Sequence, residues 1–114
     1  MSKPNRVVIT GLGALSPLGN NVEDFWENLT NGVSGADRIT NFDPSEFRTH
    51  FACELQDYDV SEHLEHNMIR RTDPYAQYAL VATDEAVKDS GLDFDNMDPF
   101  DTGVIWGSGQ GGMH

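Results

Sequence analysis

Two short runs constrain the fold more than any other feature of the sequence. Arg6–Thr10 (RVVIT) and Thr102–Trp106 (TGVIW) are apolar or β-branched at successive positions, so both faces of each must be covered. A strand of that kind belongs in the middle of an α/β sheet. Each run passes straight into glycine-rich sequence, GLGALSPLGNN after the first and GSGQGG after the second. The density of glycine, proline and asparagine in the first of these predicts a loop with unusual backbone angles. With helices between the two strands, the order is strand, helix, helix, strand, which is an α/β pattern.

The first helix is signalled by Asn21 as N-cap and by Val22, Phe25, Trp26 and Leu29, whose spacing puts them on one face. Gly32 supplies its stop, and we expect that face to pack on the sheet. The second helix opens at Asp73 and Pro74, an N-cap with proline at the first helical position, and ends at Gly91. Its apolar and small residues, among them Tyr75, Tyr78, Leu80, Val81, Ala82 and Val87, cover more than one stripe, which predicts burial on several sides. Residues 33–60 are broken by Gly35, Asp43, Pro44 and Asp57, so irregular connections and one short strand around Phe51–Leu55 are expected. A chain of 114 residues can hardly bury such a helix and two central strands alone. We therefore expect it to be the front part of a larger protein.

Nineteen Asp and Glu against seven Lys and Arg leave a net charge of −12. Such a surface repels phosphate backbones and anionic lipid, which argues against nucleic-acid and membrane partners. No window approaches the roughly 18 apolar residues of a span, and MSKPNRVVIT lacks the apolar core of a signal peptide. One cysteine, Cys53, forms no intrachain disulfide, so a reducing cytoplasm is the expected setting. An acidic partner must be met at a local exception. Arg70–Arg71 is the only adjacent basic pair, read either as that exception or as a helix-terminal pair contacting nearby carboxylates.

Other motifs carry less. Gly11, Gly13 and Ser16 fall one residue short of a dinucleotide fingerprint, and Pro17, Gly19 and Asn20 postpone the helix to Val22. No helix N-terminus then stands at the glycines to hold a pyrophosphate, so a tight turn is the reading. In EHLEH, residues 62–66, His63 and His66 suit zinc by type but not by spacing, and the solvated face of a short acidic helix explains the same letters. Cys53 has no basic neighbour closer than Arg48 and is expected to be a small core residue. No metal and no cofactor are expected. GSGQGG is different, because four glycines in six residues at a strand's end mark a loop that a ligand can approach closely.

Four segments, RVVITGLGALSPLGN, FDPSEF with FACEL, IRRTDPYAQYALVATDEAVKDSGL and GVIWGSGQGG, resemble in order and spacing the N-terminal portion of the bacterial β-ketoacyl-acyl carrier protein synthase II family. The resemblance covers essentially the whole chain. It implies an α/β, thiolase-like layered αβαβα fold, with residues 1–114 forming part of the N-terminal domain, and a homodimer. It also implies an acyltransferase that elongates fatty acyl chains by decarboxylative condensation with malonyl-acyl carrier protein. Family members use a cysteine as nucleophile and two histidines to promote decarboxylation. Neither Cys53 nor His50, His63, His66 or His114 stands at a matching position, so no catalytic residue is expected here and the chain alone should be inactive.

Two roles carry over by position. Arg70 and Arg71 match the basic cluster that docks the acidic acyl- or malonyl-loaded carrier protein, with His66 and Asn67 where further basic residues are common. Gly109, Gln110 and Gly111 match the loop beside the acyl pocket, near the dimer interface. Gln110 replaces a commonly aliphatic residue. An amide buried there without partners would cost roughly 1 to 3 kcal/mol, so we expect it to hydrogen-bond across the interface and limit acyl length. A noncatalytic synthase-like partner subunit, or a carrier-protein-binding module, would share these motifs.

Overall fold

The structure, a computed structural model, describes residues 4–112. Asn21 caps the first helix as its sequence suggests: its side chain accepts the Asp24 amide at 2.8 Å, and α1 runs Val22–Thr30. The exit is a paired one, with Gly32 N–H donating to Leu29 O and Val33 N–H to Asn28 O, and Gly32 at φ +71°. An antiparallel ribbon follows, β1 (Asp37–Arg38) and β2 (Phe51–Ala52), registered Asp37 to Ala52 and Arg38 to Phe51. The strand expected near Phe51–Leu55 is thus shorter than its apolar run. A 3₁₀ turn at Val60–Glu62 leads to α2, the single turn His66–Ile69, and then to α3, Pro74–Ser90, which stops at Gly91 with φ +63°. A second 3₁₀ turn lies at Phe94–Asn96.

The loop after Thr10 is fastened along α3 by carboxylates. Leu12 N–H donates to Asp89 Oδ2 at 2.9 Å, while Ala14 N–H and Val22 N–H donate to the two oxygens of Glu85 at 2.8 Å each. Glu85 and Asp89 are four residues apart and share one helix face, so they meet successive stretches of the loop. Backbone then approaches so closely that a Cβ at Gly11 or Gly13 would overlap the carbonyl oxygen of Ala86 or Ala82. Neither glycine has a positive φ. The expectation of unusual backbone angles is therefore corrected: these glycines serve close packing. Ser16 and Gly19 close the tight turn with mutual backbone bonds of 2.9 and 3.0 Å. Amides at 12, 14 and 22 already have carboxylate partners, which leaves no phosphate cradle there.

The two apolar runs behave otherwise than expected. Neither Arg6–Thr10 nor Thr102–Trp106 forms a strand. A strand exists through its hydrogen-bonded ladder, and among the described residues nothing pairs with either run. Val7 is 88% exposed, Ile9 83% and Ile105 99%. Thr10, at the end of the first run, and Gly103, Val104, Ile105 and Trp106 of the second line an open groove of about 380 Å³ with α3. Consequently α1 lies against the 12–22 loop instead of a sheet, held by Asn28 Nδ2 on Leu18 O at 2.7 Å, with Trp26 and Leu29 exposed.

α3 also departs from expectation, burying only Gln77, Val81 and Ala82. Cys53, just after β2, is exposed and not in a core. One cause serves these departures: no described residue covers these surfaces. The radius of gyration of 17.7 Å, against about 13 Å for a compact chain of 100 residues, fits a chain without one enclosing core.

Candidate functional site

Arg70 closes α2, its N–H donating to His66 O, and Arg71 N–H donates to Met68 O. The turn they occupy is clamped from α3. Gln77, buried at the end of that helix's first turn, donates Nε2 to Ile69 O at 3.1 Å and to Thr72 O at 2.8 Å. Thr72 Oγ1 adds a bond to Met68 O at 2.7 Å. A buried amide with both donors engaged is costly to disturb, so the arginine-bearing turn has a fixed place. Both arginine side chains are exposed and, with Asn67, border a cup of about 240 Å³. Lys88 with Asp84 is the ion pair found among the described residues, so neither arginine contacts a carboxylate there.

The loop containing Gly109, Gln110 and Gly111 arrives at the same first turn of α3. A Cβ on Gly111 would stand 2.8 Å from Cε1 and Cζ of Tyr75. Gly112, at φ +65°, has Asp73 Oδ2 2.5 Å from where its Cβ would be. A Cβ on Gly109 would meet nothing within 4 Å, and Gln110 is exposed. Asp73 is the N-cap of α3 by position, yet its carboxylate makes no capping bond to the helix. Gln77 and Tyr75 were not signalled as site residues by any motif. A lone amide amid the apolar residues of α3 was the available clue to Gln77, since a buried amide must bond something.

The EHLEH histidines fall on separate elements. His63 follows the first 3₁₀ turn and stacks on Tyr58 at 5.6 Å and 12°, whereas His66 opens α2. Tyr58 also meets Tyr78 edge-on at 5.8 Å, and partial burial pushes its phenol above the ordinary value, with Tyr78 and Asp59 adding to the shift. Among the described residues, no group of three or more His, Cys, Asp or Glu side chains could share a metal ion. No helix among them is long and apolar enough to cross a membrane.

Residues 4–114 match the family model described as Beta-ketoacyl synthase, N-terminal domain. The chain is 48% identical over 113 residues to 3-oxoacyl-[acyl-carrier-protein] synthase 2 of Staphylococcus aureus (strain N315), covering 99% of this chain and 27% of the relative. Against the synthase 2 of Coxiella burnetii (strain RSA 493 / Nine Mile phase I) identity is 47% over 108 residues, covering 95% and 26%. The chain thus spans about a quarter of the length of these curated relatives. Among solved structures, the ishigamide ketosynthase/chain length factor superposes with a TM-score of 0.71 at 37% identity, over 79% of this chain and 22% of that one. A type II PKS ketosynthase, solved in complex with its acyl-carrier protein, gives 0.61 at 27% identity, over 81% and 22%. These likenesses indicate a thiolase-like fold, of which the described residues are a small mixed α/β part. The family match runs through both the arginine turn and the glycine loop, and the chain belongs to the beta-ketoacyl synthase N-terminal domain family.

Proposed function

We propose that the whole protein is a β-ketoacyl-acyl carrier protein synthase, a cytoplasmic homodimer of layered αβαβα subunits, with residues 1–114 as the first part of its N-terminal domain. It elongates acyl chains: a bond forms between the enzyme-held acyl carbon and the malonyl α-carbon as the malonyl carboxylate leaves as carbon dioxide. The products are the lengthened ketoacyl-carrier protein and the freed enzyme thiol. Within these 114 residues, Arg70 and Arg71 dock the carrier protein, and Gly109, Gln110 and Gly111 border the acyl pocket. No residue of this chain attacks or decarboxylates.

The observation that carries this reading is an exposed arginine pair, forming no ion pair with a described carboxylate and borne on a turn clamped to α3, in a chain of net charge −12. An acidic partner is repelled by most of such a surface, so its approach is favoured where two guanidinium groups stand together. Relatives named as acyl-carrier-protein synthases, and a ketosynthase solved with its carrier protein, support the choice of partner. The test is condensation by the whole protein. Carbon dioxide and lengthened product should appear only with both acyl- and malonyl-carrier protein. Carrier binding without carbon dioxide release would contradict the enzyme and leave a noncatalytic docking subunit.

A further inference from the structure

Crowding within residues 107–112 is confined to one end. A Cβ on Gly107 or Gly109 would meet nothing within 4 Å, whereas one on Gly111 would stand 2.8 Å from Cε1 and Cζ of Tyr75 and 3.1 Å from its Cδ1. Gly112, in the left-handed region, adjoins the Asp73 carboxylate. Gln110 is the residue immediately before this anchored end.

The support beneath the loop is firm. Pro74 fixes the first helical position, Ala76 N–H and Gln77 N–H both donate to Asp73 O at 2.9 and 3.1 Å, and the buried Gln77 amide ties the preceding turn to the helix. Tyr75 is 43% exposed, so its ring is not consumed in the packing of α3. We propose that Tyr75 is a positioning residue for acyl-length selection: its ring is the seat of Gly111 and sets where Gln110 stands. The inference rests on the reading of the protein as a synthase whose acyl pocket borders this loop.

A loop held at one end moves about that end. Removing the ring lets residues 108–111 sink toward α3, and adding a Cβ at Gly111 lifts them from it. The two changes act on one contact, so their effects are coupled and not additive. The hydroxyl has no part in this, which makes Tyr75→Phe the conservative control.

The test uses the whole protein with Tyr75→Ala, Tyr75→Phe, Gly111→Ala and the double variant Tyr75→Ala/Gly111→Ala. Hydrogen exchange at Ser108 to Gly112 reads the seat directly and needs no activity. Specificity constants on a ladder of acyl-carrier proteins read its consequence. Tyr75→Ala should speed exchange in the loop by about fivefold or more, as expected for a lost contact of ordinary strength. It should also move the acyl length at which turnover falls, while Tyr75→Phe changes neither. Gly111→Ala should perturb loop exchange more with Tyr75 present than with Ala there. Unchanged loop exchange in Tyr75→Ala, or equal Gly111→Ala effects in both backgrounds, would overturn the seat. Changed exchange with an unchanged length profile would overturn the selective role while condensation itself stands. A parent protein that condenses nothing would refute the synthase reading, and the length-selective role with it, with the seat still read by exchange.

Discussion

The 12–22 loop lies along α3, whereas the two apolar runs reach the same helix only through Thr10 and residues 103–106, and only the loop is finished by it. Leu12, Ala14 and Val22 each find a carboxylate oxygen on α3 at 2.8 to 2.9 Å, and glycines remove the side chains that would hold backbone and helix apart. Val7, Ile9, Val104 and Ile105 find no ladder and stand 69 to 99% exposed. The loop's amides at 12, 14 and 22 thus find their polar partners on α3, and the runs find no burial for their apolar side chains. Each such side chain left in water forgoes about 1.5 to 3 kcal/mol. A handful of them matches the 5 to 15 kcal/mol or so of a typical domain's net stability.

The largest expected effect follows from that sum. Made alone, the 114-residue chain should show no condensation and no cooperative monomeric melt, because its exposed apolar surface drives self-association. Sedimentation and thermal unfolding, run beside an assay with acyl- and malonyl-carrier protein, check both halves. A sharp monomeric transition would show that the uncovered runs cost nothing.

Smaller changes probe the finished side. Glu85→Ala in the whole protein removes the acceptor of two part-buried amides, and hydrogen bonds to charged groups are each worth roughly 1.5 to 3 kcal/mol. Asp89→Ala removes one bond at an exposed site and should cost clearly less. Denaturant midpoints for the two variants give the order. Equal losses would mean that the loop is held by packing and not by its carboxylate clamp.

Those regions also differ in how far the sequence announced them. Asn21, Gly32, Pro74 and Gly91 delimit α1 and α3 because caps act within a few residues of themselves. RVVIT and TGVIW carry strand composition, but pairing is a property of two segments and no local pattern supplies the second. Ribbon β1–β2 was half legible, since Phe51 and Ala52 read as strand and Asp37 and Arg38 did not. At the candidate site the arginine pair stood out by charge alone. Gln77 and Tyr75 stayed hidden because their roles depend on what folds against them, Ile69 and Thr72 for one and Gly111 for the other.

A milder pH effect is expected in the ribbon's connection. Glu54 accepts the Thr40 hydroxyl at 2.7 Å, the Thr40 amide at 2.9 Å and the Asn41 side chain at 2.9 Å, and the Thr40 bonds above all hold its carboxyl below the usual range. The folded pKa is below the unfolded one, so this stabilisation is full above the unfolded value and fades as pH falls through the folded one. Exchange at the Thr40 amide should quicken over that acidic window. In Glu54→Gln it should be faster at neutral pH already and nearly flat across the window. A parent profile as flat as the variant's would show that Glu54 does not hold the segment.

The most direct test of the account is the Michaelis constant of the whole protein for malonyl-carrier protein, measured against salt for the parent and for Arg70→Glu/Arg71→Glu. Exposed charge pairs are worth about 0.2 to 1 kcal/mol each, so two reversals should raise the constant roughly 2- to 30-fold at low salt. Added salt should erase most of the difference, since screening acts over about 8 Å at physiological ionic strength. Turnover of a small thioester that needs no docking should stay the same. A constant unchanged at low salt, or an equal loss on the small thioester, would contradict docking at Arg70 and Arg71.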